Sequence, residues 1–100
     1  RLRLTGGKND VSGNVEISFN NRWGSICDNG WTDKEAHVVC KMLGYTDGVA
    51  FLNSNFGQIF HKVWLDNVKC TGHEISLTQC RKSNWGDTHC SSSNAAGVQC

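Results

Sequence analysis

Thr32-Asp33-Lys34-Glu35-Ala36-His37-Val38-Val39-Cys40-Lys41-Met42-Leu43-Gly44 spells out both ends of a helix and its buried face. Thr32 and Glu35, three apart, form a capping box: the threonine oxygen accepts from the Glu35 amide and the glutamate reaches back to Thr32. Ala36, Val39, Cys40 and Leu43 recur at helical spacing, and Gly44 supplies the left-handed residue that closes a helix. The stretch predicts a helix over 33–43 whose apolar face needs a cover.

The cover is written upstream. Val15, Ile17 and Phe19 alternate with Glu16 and Ser18, the period of a half-buried strand, and Asn20-Asn21 reads as a hairpin turn. Arg22–Cys27 is then the returning strand, with Trp23 its expected core residue and Gly24 a bulge or a close backbone approach. Downstream, Val63, Leu65 and Val68 suggest a short strand with Asp66 near its end, and a helical turn is expected around Ser76 to Cys80. Asn53-Ser54-Asn55 and Ser91-Ser92-Ser93-Asn94 mark long loops, and no internal repeat appears.

One hundred residues without a linker-like segment are read as a single domain, 1–100. Six cysteines, at 27, 40, 70, 80, 90 and 100, include no C-x-x-C pair, which argues against zinc and for three disulfides in an oxidising compartment. There is no run of about 18 apolar residues, and Arg1-Leu2-Arg3-Leu4 lacks the apolar stretch of a signal peptide. The segment therefore reads as excised from a larger secreted or membrane-anchored protein, with no membrane insertion of its own.

A formal net charge of +1 is far from the basic excess of a nucleic-acid domain, so specific nucleic-acid recognition is not expected. Catalysis is not expected either. The histidines at 37, 61, 73 and 89 have no partner pattern, no G-x-S-x-G elbow or P-loop occurs, and His73-Glu74 lacks the second histidine of a zinc-protease helix.

Trp23-Gly24-Ser25-Ile26-Cys27-Asp28, Ala36-His37-Val38-Val39-Cys40-Lys41-Met42-Leu43-Gly44-Tyr45, Val63-Trp64-Leu65-Asp66-Asn67-Val68-Lys69-Cys70-Thr71-Gly72 and Ala96-Gly97-Val98-Gln99-Cys100 stand in this order. Together they resemble the scavenger receptor cysteine-rich domain over essentially the whole chain, and the six cysteines look like its group A type. The resemblance implies an α+β fold: a curved antiparallel sheet cradling the helix of 33–43, a small second sheet and long loops. It also implies the pairing Cys27–Cys90, Cys40–Cys100 and Cys70–Cys80. Chain-entropy arithmetic for such loops gives about 4 kcal/mol for each long one and about 2.7 kcal/mol for the short one.

Two candidate sites follow from the resemblance. Many domains of the family carry a surface calcium site; here its usual Asp-Asp pair is Asp28-Asn29, its Trp-Leu-Asp carboxylate is Asp66, and its Glu-Asp before Ala-Gly-Val is Asn94-Ala95. The residue before the penultimate cysteine, often Asn, is His89. Calcium takes several hard oxygen ligands, so a degenerate set of Asp28, Asn29, Asp66 and Asn94 is expected to bind it weakly or not at all, and no cofactor is required. The second site is basic. Related group A domains catch polyanions with arginine-rich surfaces; the candidates here are Arg1, Arg3, Lys8 and Arg22 in the first strands and Arg81 and Lys82 in the second half, where Lys62 and Lys69 also lie. The family's Gly-Arg-Val-Glu is Gly13-Asn14-Val15-Glu16, one arginine fewer.

Among the tryptophans at 23, 31, 64 and 85, Trp31 is expected to be partly exposed, and Phe51, Phe56 and Phe60 to fill the loop core. The functional expectation is an extracellular recognition module for protein or polyanionic ligands. The alternatives are a regulatory or structural domain of a secreted protease or lysyl-oxidase-like enzyme, and a spacer without a ligand.

Overall fold

The longest strand, β2 (Ser12–Phe19), carries the sheet because it is paired along both edges. The computed structural model describes all residues, 1–100. On one edge of β2 lies β1 (Leu2–Gly6), antiparallel, with Leu4 opposite Val15 and Arg3 opposite Glu16. The other edge is shared: β6 (Gly97–Gln99) pairs with Ser12–Asn14, and β3 (Arg22–Ile26) with Glu16–Phe19. β4 (Val49–Phe51) extends β6 antiparallel, and β5 (Val63–Leu65) extends β3 parallel. The path β4-β6-β2-β3-β5 is one continuous sheet. The small second sheet is reduced to isolated bridges, of which Lys69–Arg81 stands apart from the main path.

Asn20 and Asn21 make the β2–β3 turn at φ 52° and 63°, the left-handed pair that a two-residue hairpin requires. Gly24 is the predicted close approach: a Cβ there would lie 2.3 Å from the Trp64 ring, and the β3–β5 register shifts between Ser25 and Ile26. β2 departs from the half-buried expectation. Ser12 through Ile17 are all buried, Glu16 included, because the curled sheet and the loop carrying His61 cover both of its faces.

Helix α1 runs Asp33–Met42, with Leu43 as its cap rather than its last residue. The Thr32 amide donates to Glu35 Oε1 at 2.7 Å, as the capping box predicts. Glu35 does more than cap: its Oε2 accepts the Cys70 amide at 2.6 Å, so a carboxylate 2% exposed ties the helix start to the Cys70–Cys80 loop. At the other end the Gly44 amide reaches Lys41 O and the Tyr45 amide reaches Cys40 O, a Schellman closure with Gly44 at φ 95°.

Val15, Ile17 and Ile26 from the sheet meet Ala36, Val39 and Cys40 from the helix, and Leu65, Val68, Leu77 and Val98 complete the core. Three aromatic expectations are corrected. Trp31 is 4% exposed, drawn in because its indole N–H donates to Gly97 O at 3.0 Å. Trp23 is only half-buried, on the sheet face where the Arg3 guanidinium covers it at 4.1 Å. Phe60 is 90% exposed, while Phe51 and Phe56 pack edge to face as a loop core should. The three disulfides join Cys27–Cys90, Cys40–Cys100 and Cys70–Cys80, the expected pairing, across 63, 60 and 10 residues. No helix is long and apolar enough to cross a membrane.

Candidate functional site

The two groups of basic residues meet different fates. In the first, Arg3 Nε lies 2.7 Å from Glu16 Oε1 while its guanidinium stacks on Trp23. Register fixes this pairing, since Arg3 and Glu16 stand directly opposite in β1 and β2. The other oxygen of Glu16 meets His61 Nε2 at 2.7 Å. Arg1, Lys8 and Arg22 are exposed; Arg1, whose carbonyl accepts the Ser18 amide, stands two positions from Arg3 on the same face of the sheet, whereas Lys8, near Asp10 in the β1–β2 connection, lies at the opposite end of β2 from Arg22.

The second group stands on the short disulfide loop. The Lys69 amide donates to Arg81 O at 2.7 Å and the Arg81 amide to Lys69 O at 3.1 Å, a hydrogen-bonded antiparallel pair. Such a pair projects both side chains to the same face, with Cα atoms about 5.5 Å apart. The Cys70–Cys80 disulfide sits one residue inside this pair and holds it closed. Lys82 joins them, its Nζ donating to Thr78 O at 3.3 Å and lying 6.0 Å over the Trp85 ring.

Together with Asn67 and Ser83, these three cations line a cleft of about 450 Å³ that contains no acidic residue. None of the three forms an ion pair; the only ion pairs are Arg3–Glu16, His37–Asp47 and His61–Glu16. Like charges directly opposite on paired strands are generally destabilising, and here no acidic residue lines the cleft to offset them. Of the six basic candidates, Arg81 and Lys82 are brought together in one cleft and Arg1 and Arg3 on one face of the sheet, and Lys69 is the cleft partner that their spacing alone did not single out.

The four calcium candidates lie in adjoining loops, where they are engaged in hydrogen bonds of their own. Asp28 Oδ2 accepts the Asn53 amide at 2.7 Å, and Asp28 meets Asn94 through the backbone, its amide donating to Asn94 O at 2.9 Å. Asp66 Oδ1 accepts both the Asn67 amide at 2.7 Å and the Asn29 side-chain amide at 3.1 Å. Asn29 thus turns a donor toward the carboxylate where a cation would need an oxygen, so the donor set does not fit calcium. Elsewhere Cys70, Glu74 and Cys80 come within 4.8 Å of one another, but both sulfurs are spent in a disulfide.

Two exposed carboxyls are held below their ordinary range. For Asp47 the main cause is the hydrogen bond with His37, followed by the Gly48 amide; for Glu74 it is the Thr71 amide.

Comparison with known proteins agrees throughout. The family model described as "Scavenger receptor cysteine-rich domain" matches residues 5–100. The macrophage receptor MARCO of Mesocricetus auratus is 46% identical over 99% of this chain, and that of Mus musculus 45% identical over 100%. The chain spans only 20% and 18% of those two receptors. Among solved structures, the third SRCR domain of murine neurotrypsin superposes with a TM-score of 0.92 at 44% identity, covering 100% of this chain and 94% of that one. The dimeric form of the SRCR domain of mouse MARCO gives 0.85 at 44% identity, over 98% and 92%. A match continuous from β1 to the last cysteine, in sequence and in backbone alike, places this chain in the scavenger receptor cysteine-rich family of non-catalytic extracellular modules.

Proposed function

We propose that this chain is an extracellular ligand-recognition module that captures polyanionic ligands at the Lys69–Arg81–Lys82 cleft, within a larger secreted or membrane-anchored protein. The observation that carries the reading is the unpaired cation pair on one β-bridge, held by a disulfide and free of acids. Arginine offers a planar fork to sulfate, phosphate or carboxylate, the two lysines add point charge, and the Asn67 amide and Ser83 hydroxyl line the same cleft. Binding is electrostatic and forms no covalent bond, so salt must weaken it.

The test is retention on immobilised heparin across a salt gradient. Wild type is expected to be retained, the double variant Lys69→Ala/Arg81→Ala to elute much earlier, and Arg3→Ala to elute with wild type. Equal retention of wild type and the double variant would refute the cleft as the site.

A second reading, a regulatory or structural domain of a multidomain secreted enzyme, draws on the likeness to one of at least three such domains in murine neurotrypsin. The spacer reading is the one that predicts no saturable binding of heparin at physiological salt.

A further inference from the structure

We propose that the Asn29 side-chain amide takes the place of a divalent cation beside Asp66, so that the loops under the basic cleft are locked by internal hydrogen bonds and ligand capture is independent of calcium. The role of the cleft rests on the polyanion reading; the lock itself does not.

Asp66 is 8% exposed and joins three segments through four hydrogen bonds. Its Oδ1 accepts from Asn29 Nδ2 and from the Asn67 amide, its own amide donates to Ser83 Oγ at 3.0 Å, and its carbonyl accepts the Ser83 amide at 3.0 Å. Asn67 and Ser83 are two of the five residues lining the cleft, and Asn67 is held at φ 51°, a conformation that needs a reason in a residue other than glycine. On the far side, Asn29 Nδ2 also lies 3.6 Å from Cys27 Sγ, so the same amide leans on the Cys27–Cys90 disulfide. Asp28, the other carboxylate, is occupied differently, accepting the amide of Asn53 from a separate loop.

The chemistry is exclusive. A side-chain amide can point N–H at a carboxylate or offer its oxygen to a cation shared with that carboxylate, but its nitrogen cannot serve as the oxygen ligand calcium takes. An aspartate at 29 would reverse the situation. Two carboxylates at hydrogen-bond distance repel, and the repulsion is relieved when a cation sits between them. One side-chain substitution therefore separates a calcium-free lock from a calcium-dependent one.

The experiment uses the oxidised chain, metal-stripped, with melting temperature read in EDTA and in about 5 mM calcium, above the 10⁻⁴–10⁻³ M affinities of extracellular calcium modules. Wild type is expected to melt at the same temperature in both, and Asn29→Asp to melt lower in EDTA and to recover about 4–8 °C in calcium. An Asn29→Asp variant that folds but does not respond to calcium would overturn the proposal. Calorimetric titration of wild type with calcium keeps the test open if that variant fails to fold. No binding heat supports the lock, whereas site-specific heat abolished by Asp66→Asn overturns it. Heparin retention of wild type, read in parallel with and without calcium, separates the two claims. Retention unchanged by calcium supports both, retention that requires calcium overturns the lock, and absence of retention in either condition removes the polyanion reading while the melting data still decide the lock.

Discussion

Arg3 and Arg81 carry the same charge, both on exposed residues at strand pairings, yet their surroundings differ. Arg3 faces Glu16 across the β1–β2 register and lies on Trp23, so its charge is answered within the fold. Arg81 faces Lys69 across a bridge closed by a disulfide, with Lys82 in the same cleft and no carboxylate among the lining residues. One arginine is part of the scaffold and the other is available. A count of basic residues treats them alike; the register of the strands separates them.

The comparison breaks most sharply under charge reversal. Lys69→Glu/Arg81→Glu is expected to abolish heparin retention at physiological salt while leaving the melting temperature nearly unchanged, since opposed like charges of one sign merely replace those of the other. Loss of binding accompanied by unfolding, read by circular dichroism, would contradict the placement of these side chains at the surface.

Next in size is the staple. Cys70→Ser/Cys80→Ser removes a 10-residue cross-link, with an expected cost of about 2.7 kcal/mol in urea denaturation and a drop in heparin affinity, because the Lys69–Arg81 bridge frays. Unaltered affinity in a destabilised but folded variant would show that the bridge does not depend on the disulfide.

A third change turns one region toward the other. Glu16→Gln keeps the shape of the side chain and removes the charge that answers Arg3. Stability is expected to fall by about 1–2 kcal/mol, less than a fully buried charged hydrogen bond because the Arg3 side chain is 45% exposed, and heparin retention is expected to rise. Unchanged retention would show that Arg3 is held by Trp23 rather than by its carboxylate.

The smallest expected effect is acid-dependent. The Glu74 carboxyl is depressed by the Thr71 amide, so its stabilisation is fully present above its unfolded value of 4.5 and is lost as pH falls through the lower folded value. Glu74→Gln should therefore melt slightly below wild type at neutral pH and coincide with it in acid, once the wild-type carboxyl is protonated, which flattens the acid limb of the profile.

Local signals in the sequence carried the helix, its two caps, the hairpin turn and the close approach at Gly24, because each depends on residues within a few positions. The disulfide pairing came through the family resemblance, since six cysteines alone leave many pairings open. What stayed hidden was set by distant partners. Trp31 is buried by a carbonyl 66 positions away, Glu35 reaches Cys70 across 35, and Glu16 is covered by His61. The cleft belongs to this second kind. Lys69 and Arg81 were both visible as basic residues, but their juxtaposition follows from the bridge beside Cys70–Cys80, and the expected pairing already placed them within one residue of it.

The most direct test of the cleft is an amide and side-chain chemical-shift map of the oxidised domain titrated with a sulfated heparin tetrasaccharide. Shifts concentrated at Asn67, Lys69 and Arg81–Ser83 are the predicted result. Shifts concentrated at Arg1, Arg3, Lys8 and Arg22, with the disulfide loop silent, would contradict it.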